Sequence, residues 1–503
     1  MNKRLPDDKV LSARSINHIN LNKLIKVLHA AAECYPAAKS GGLGDVVGAL
    51  PKYQCSLGIH TAVVIPKYYN KWILSQHYSE VHYGEVRLHD RYFHFSVQEL
   101  VSADLGYPLY VVDIKGLFDR DGIYTDNATG YGYRDEVSRY LAFQQSVLRW
   151  VASWEVLPEV LHCHDHHTGL IPFLCKYSPE FDRLRGVPTV FTIHNGQYHG
   201  AFSWTQQHLL PYFYADATGW LDWAHTINPL ATGIKCCWRL TTVSPNYLNE
   251  LMQSSNGLEG LVRQERGKAV GILNGIDTQV WNPATDPLIA HHFKKNIETF
   301  KSANKKVLAE SFNIQEDLPL FTFIGRLVDE KGADLIPDLI YRYLETGRRA
   351  CFFVLGSGDP RLKDRFLTMR HELFNFFDAS IEYNEQLAHQ LYAGSDFLLM
   401  PSRVEPCGLN QLYSFRYGTI PVARAVGGLW DTVIDAGEPE IGRGFRFLQF
   451  SVEDGLDALI RASGLFYHKK SLNGLRKRIM ALDFSWEKSA NEYIDLYKTI
   501  SGL

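Results

Sequence analysis

Several short segments combine charged residues, glycines and histidines at spacings that could do chemistry. In Lys39-Ser40-Gly41-Gly42-Leu43-Gly44-Asp45 a lysine adjoins two glycines at the start of a helix pattern. Glycines let backbone N–H groups approach an anion without Cβ interference, and a helix start adds partial positive charge. The alternative is a tight structural turn, and no Gly-Lys-Ser/Thr follows to make a Walker loop. In Gly325-Arg326-Leu327-Val328-Asp329-Glu330-Lys331-Gly332 two cations flank one loop. An arginine fork and a lysine point charge can neutralise a leaving diphosphate; the competing reading is a solvated surface loop. In Ser402-Arg403-Val404-Glu405-Pro406-Cys407-Gly408-Leu409-Asn410-Gln411, Glu405 precedes proline and is held extended. Gly408 is read as opening a helix whose N–H groups take phosphate or ribose oxygens.

Two histidine-bearing segments add to these. His162-Cys163-His164-Asp165-His166-His167 ends an apolar run. It reads either as metal ligands, which would need further ligands from other strands, or as polar residues lining a cleft. Asp165 is the member expected to face a sugar. In Thr192-Ile193-His194-Asn195-Gly196, His194 beside Asn195 suits a hydroxyl, or is a buried, internally satisfied histidine. Asp119-Arg120-Asp121 matches a metal-binding DxD pattern, but two acids in a polar loop are common, and they read as structural or acceptor-side.

The elements that must position these residues alternate in a regular way. Apolar runs at 25–32, 61–65, 109–113, 160–163, 189–193 and 240–244 read as buried strands, with a helix over 135–150. A second series follows Asn274-Gly275-Ile276-Asp277, with 282–300 as connection and strands at 319–324, 350–355, 397–400 and 419–423. Most of the chemistry-bearing segments start where such a run ends. Strand, glycine loop and helix recurring in both halves predict an α/β protein of two Rossmann-like, doubly wound domains facing across a cleft. The expected layout is a flexible leader at 1–22, a first domain at 23–275, a second at 276–484, and an amphipathic final helix within 485–503.

Bulk properties fit this and exclude other classes. A chain of 503 residues exceeds one core. The net charge of −3 is no basic excess of the kind that points to nucleic acid or anionic membrane. The eight cysteines follow no disulfide spacing, and Met1 to Asn22 has no apolar stretch, so a cytoplasmic protein is expected. No apolar run is long enough to span a membrane.

Taken in order, these motifs resemble the bacterial glycogen synthase and plant starch synthase family, retaining glycosyltransferases of the GT-B fold, over about residues 24–500. The family's Lys-Thr-Gly-Gly-Leu-Gly-Asp stands here with Ser40, its His-Asp-Trp-His with His166, and its Glu-Pro-Cys-Gly-Leu-Thr-Gln with Asn410. The resemblance implies a nucleotide-glucose donor, ADP-glucose by default and UDP-glucose as the alternative, an α-1,4-glucan acceptor, and no metal or other cofactor. It implies that Lys39, Gly41, Gly42 and Asp45 hold donor phosphates or glucose, and that Arg326 and Lys331 stabilise the leaving diphosphate. Glu405, Cys407, Gly408 and Leu409 would contact the transferred glucose and its phosphate. His194 would bind a glucose hydroxyl, Tyr383 would stack on the base, and Asp165, Asn195 and Asn274 would line the substrate site. The domain at 23–275 would be the acceptor side, the domain at 276–484 would bind the nucleotide sugar, and the final helix would cross back to the first domain. The rivals are a metal-dependent hydrolase, suggested by the histidines, a catalytically silent glucan-binding relative, and a related transferase with a small acceptor such as fructose.

Overall fold

The computed structural model describes residues 25–503, so the expected leader lies outside the described residues. The first sheet takes β1 (Val27–Ala30), β2 (Thr61–Pro66), β3 (Tyr78–Leu88), β4 (Arg91–Leu100), β5 (Leu109–Ile114), β6 (Val160–His164) and β7 (Thr189–Ile193). A small side sheet follows, of β8 (Phe202–Ser203), β9 (Asp222–Trp223) and β10 (Thr226–Ile227), before β11 (Arg239–Thr242) and β12 (Ala269–Gly271) complete the large one. Its order is β12-β11-β7-β6-β1-β2-β5-β4-β3, parallel except for β3 and β4 at one edge. Strands β1, β2, β5, β6 and β7 are buried along their whole length, which is why they read as continuous apolar runs. The β3–β4 hairpin was not predicted. Its residues are partly exposed and charged, the signature of a sheet edge with one wet face.

The second sheet is parallel throughout. It comprises β13 (Leu320–Ile324), β14 (Cys351–Leu355), β15 (Phe377–Ser380), β16 (Phe397–Met400), β17 (Ile420–Arg424) and β18 (Phe445–Phe447), in the order β15-β14-β13-β16-β17-β18. All the strands expected from apolar runs are present, within a few residues at their ends. The connection expected at 282–300 gives way to a helix at Ile297, where Asn296 caps the first turn.

Each sheet has one switch point, where chain order reverses and crossovers leave a crevice at the strand ends. In the first it lies between β1 and β6, in the second between β13 and β16. The segments singled out for chemistry follow these strands and the neighbouring β7.

The two domains touch through named contacts. Ser244 Oγ donates to the Pro406 carbonyl at 2.7 Å, and Glu250 Oε1 accepts from Gly427 N–H at 2.7 Å. The linker at Ile276 runs beside the start of the final helix, with Ile276 N–H donating to Phe484 O and Trp486 N–H to Ile276 O. That helix, Trp486–Lys498, buries Trp486, Ala490, Tyr493 and Tyr497 against Val27, Val46, Leu50 and Val160 of the first domain. Among the described residues, no helix is long and apolar enough to cross a membrane.

Candidate active site

The turn after β1 is organised by a residue the sequence reading did not select. Glu33 is 3% exposed, and its Oε2 accepts from Ser40 N–H at 2.6 Å and Gly41 N–H at 3.0 Å. Its Oε1 accepts from the Tyr124 hydroxyl at 2.6 Å. The Gly41 amide expected for an anion is therefore already engaged, because a buried carboxylate needs donors and takes the nearest ones. The helix still starts at Gly42, and a Cβ placed at Gly41 or Gly42 would meet nothing within 4 Å. That open space lies directly before a helix N-terminus. Lys39 Nζ pairs with Asp45 Oδ1 at 2.6 Å. Partial burial acts to lower the lysine, but Asp45 outweighs it and holds Lys39 above its usual value. Tyr383, 82% exposed on the other domain, is close enough to feel the charges of Lys39 and Asp45.

At the first domain's switch point, Asp165 departs from expectation. It has φ 54° and is buried, and its Oδ1 accepts from His194 N–H at 2.8 Å and Asn195 N–H at 3.4 Å. Rather than facing a sugar with both oxygens, it pins the turn that presents His194. Burial pushes its carboxyl up to about 6. Asn195 Oδ1 closes the same turn on Gln197 N–H. His194 is 8% exposed, its Nε2 lies 2.9 Å from His164 Nδ1, and burial lowers it to about 3.

At the second switch point, Lys331 Nζ donates to both Glu405 oxygens, at 2.7 and 2.8 Å, and Ser402 Oγ donates to Oε2 at 2.9 Å. Glu405 is 5% exposed. Arg326 reaches toward solvent, and among the described residues its guanidinium makes a 3.4 Å contact to Glu330. The two loops are stitched together: Arg403 N–H donates to the Glu330 carbonyl, and the Arg403 guanidinium grips Asp334 at 2.6 and 2.7 Å. Asn410 Nδ2 donates to Ile324 O at 2.6 Å, tying β13 to the segment after β16. This assigns a structural contact to the Asn410 departure from the family motif. Gly408 does not open a helix as expected. Its φ of 74° is left-handed, so the helix starts at Asn410 with Leu409 as its cap. Cys407 faces the Asn274 backbone and packs into the first domain's core, where burial raises its thiol to about 12. Asn274 is buried, and its Oδ1 has no partner among the described residues. Tyr247 braces the His194 turn: its hydroxyl accepts from Gly196 N–H at 2.8 Å, and it feels the charges of Asp165 and, from the second domain, Glu330.

Among the described residues, two groups of side chains bring metal-type donors within 4.8 Å of one another, His29/His162/His164 and Glu136/His166/His167. The first does not suit an ion. His162 and His164 stack at 4.2 Å and His29 and His164 lie at 17°, so their in-plane lone pairs do not converge, and every ring nitrogen already has a partner. In the second, the His166 and His167 rings are tilted by 36° with centroids 3.7 Å apart, and His166 Nε2 lies 3.9 Å from Glu136 Oε1. The Asp119-Arg120-Asp121 pattern is structural: Arg120 forks onto Asp135 at 2.6 and 2.8 Å, and Asp119 accepts from Gly116 N–H.

Sequence reasoning missed Glu33, Gln54, His29, Ser402, Tyr247 and Tyr497. One signal was available for His29. A histidine inside an otherwise apolar buried strand demands a partner.

Two doubly wound domains with charged, glycine-bearing loops at opposed switch points define a glycosyltransferase of the GT-B type. Residues 26–264 match the family model for the starch synthase catalytic domain, and 304–463 that for glycosyl transferases group 1. The chain is 46% identical to a glycogen synthase of Flavobacterium johnsoniae, over 95% of this chain and 99% of the relative. It is 36% identical to one from Streptococcus gordonii, over 95% and 100%. Among solved structures, the catalytic domain of starch synthase IV from Arabidopsis thaliana bound to ADP and acarbose superposes with a TM-score of 0.82 at 30% identity, covering 95% of this chain and 100% of that one. A sucrose-phosphate synthase from Thermosynechococcus elongatus, at 14% identity and TM-score 0.59 over 94% and 98%, shares the fold. The chain belongs to the glycogen and starch synthase family.

Proposed function

We propose that this protein transfers glucose from ADP-glucose to the non-reducing end of an α-1,4-glucan, with retention of configuration. The observation that carries this is the pairing of two switch points. Arg326 and the Lys331–Glu405 pair stand at one; the Gly42 helix start, Lys39 and His194 stand at the other. Support for a nucleoside diphosphate and a glucan also comes from the starch synthase IV structure, which is bound to ADP and acarbose.

In this reading the donor diphosphate lies between Arg326, Lys331 and the Gly41–Gly42 turn. Lys331 gives two of its three donors to Glu405 and keeps one for a phosphate oxygen. As the bond from the anomeric carbon to the diphosphate breaks, the charge growing on the leaving oxygen is met by these two cations. The acceptor 4-hydroxyl attacks from the face the diphosphate leaves, passing its proton to that phosphate. Glu405 and His194 hold the transferred glucose, the His194 carbonyl faces the anomeric carbon, and Tyr383 offers its exposed ring to the base. Closure of the domains excludes water from the reacting sugar. The protein's own cations supply the positive charge, so a metal is not required.

The test is to incubate purified protein with glycogen and either ADP-glucose or UDP-glucose, with and without a chelator, and measure chain elongation and nucleotide release. Elongation by α-linked glucose with ADP release, unchanged by chelation, is expected. Elongation from neither donor would refute the proposal.

A further inference from the structure

A continuous buried hydrogen-bond chain runs from the final helix to His194. Gln54 Nε2 donates to the Tyr497 hydroxyl at 3.0 Å, and Gln54 Oε1 lies 2.9 Å from His29 Nε2. His29 Nδ1 lies 2.9 Å from His164 Nε2, and His164 Nδ1 lies 2.9 Å from His194 Nε2. A side branch leads from Tyr497 to His162 Nδ1 at 2.7 Å, and from His162 Nε2 to Thr192 at 2.6 Å. All four histidines are buried. Burial lowers His29 to about 4 and His194 to about 3, and lowers His162 and His164 as well, so all four are neutral near pH 7.

A neutral imidazole has one donor and one acceptor nitrogen, so each link fixes the next. With the Gln54 carbonyl oxygen on His29, His29 Nε2 must donate and its Nδ1 must accept. His164 Nε2 then donates and its Nδ1 accepts, and His194 Nε2 donates in turn. Tyr497 agrees with this direction: accepting from Gln54, it gives its proton to His162 Nδ1. His194 Nδ1 is left with no proton, and it has no hydrogen-bond partner among the described residues.

We infer that Gln54 and Tyr497, acting through His29 and His164, are positioning residues that lock His194 as the Nε2–H tautomer and leave its Nδ1 a bare acceptor for a hydroxyl of the bound sugar. The sugar's identity rests on the proposed glucosyl transfer; the tautomer does not. A side chain of the helix that crosses back from the end of the chain thus reaches the sugar-facing turn through four hydrogen-bonded links. The histidine-bearing segment gains a use that neither metal binding nor simple cleft lining provides.

The test is the long-range proton–nitrogen spectrum of the 15N-histidine-labelled full chain without ligand, with His194 assigned by its loss in His194→Asn. A pyridine-type Nδ1 and a pyrrole-type Nε2 in one neutral state are expected. A protonated Nδ1, or averaging between tautomers, overturns the inference. Gln54→Leu removes the acceptor that sets the direction. It is expected to mix the tautomers of His194 and to lower kcat/KM for the donor by about ten-fold, as for loss of one oriented hydrogen bond. Gln54→Glu keeps an acceptor on His29 and is expected to keep the wild-type His194 pattern; the same mixing in both variants would count against the chain. If Gln54→Leu does not fold, the wild-type spectrum decides. A bare Nδ1 in a protein that elongates no glucan would support the tautomer while refuting the transferase reading.

Discussion

Replacing Lys331 by alanine separates charge balance from catalysis. The ammonium sits 2.7 and 2.8 Å from the two oxygens of Glu405, a carboxylate only 5% exposed. Without it, Glu405 keeps the single hydroxyl of Ser402. Breaking one side of a fully buried pair costs about 3–5 kcal/mol. The Lys331 side chain is 28% exposed, so water can enter its place, and a loss of about 2–3 kcal/mol is expected. In the proposed reaction the same change removes a cation from the leaving diphosphate, which should lower turnover by about 10²-fold or more. Adding Glu405→Gln removes the stranded charge. Stability should then recover by about 1–2 kcal/mol through coupling of the two neighbours, while turnover stays low. Denaturant unfolding and ADP release at saturating donor read the two effects independently. Near-wild-type turnover in Lys331→Ala, with its stability loss intact, would show that Lys331 serves only to neutralise Glu405 and would refute its catalytic assignment.

Further outcomes follow from the same structure. Arg326→Ala should also lower turnover by about 10²-fold, but with little change in melting temperature, since its side chain is exposed and weakly paired; a normal rate would refute its role. Gly428→Ala places a Cβ 2.0 Å from the Cys407 carbonyl oxygen, so the loop bearing Glu405 must move. Reduced activity and an altered circular-dichroism melt are expected, and wild-type kinetics would disprove that close packing. Asp396, buried between Lys305 at 2.8 Å and Arg476 at 2.6 Å, is held down to about 2 despite its burial. Its folded value is depressed, so its stabilisation is present above the unfolded value of 3.8 and is lost as pH falls toward about 2. Asp396→Asn should destabilise by about 3–5 kcal/mol at pH 7 and flatten that acid limb in urea unfolding. His29 is also depressed, to about 4 from 6.5, so the protein should lose stability as pH falls between those values. The loss for this residue approaches about 3 kcal/mol, and His29→Gln should show a shallower slope in that window.

The chemistry-bearing loops were legible because their signals are local. Lys39 to Asp45, Arg326 to Lys331 and Glu405 to Leu409 each occupy one turn after an apolar run, and buried parallel strands print themselves as such runs. Their order along the chain was enough to recognise the family. The β3–β4 hairpin was not legible, because an edge strand with a wet face mixes charged and apolar residues. The Gly408 helix start was misread, because a left-handed glycine postpones the helix and composition alone does not show φ.

What the sequence determined, then, is which residue types stand at the strand ends, and with them two doubly wound domains. The tertiary structure alone decided how those residues are occupied. It gives the Gly41 amide to Glu33, turns Asp165 onto the His194 backbone, and joins Lys331 to Glu405 across 74 positions. It also links His162 to Tyr497 across 335 positions. The physical reason is that a buried polar atom takes whichever partner packing brings within about 3 Å. Partners so far apart in the chain leave no mark on local periodicity.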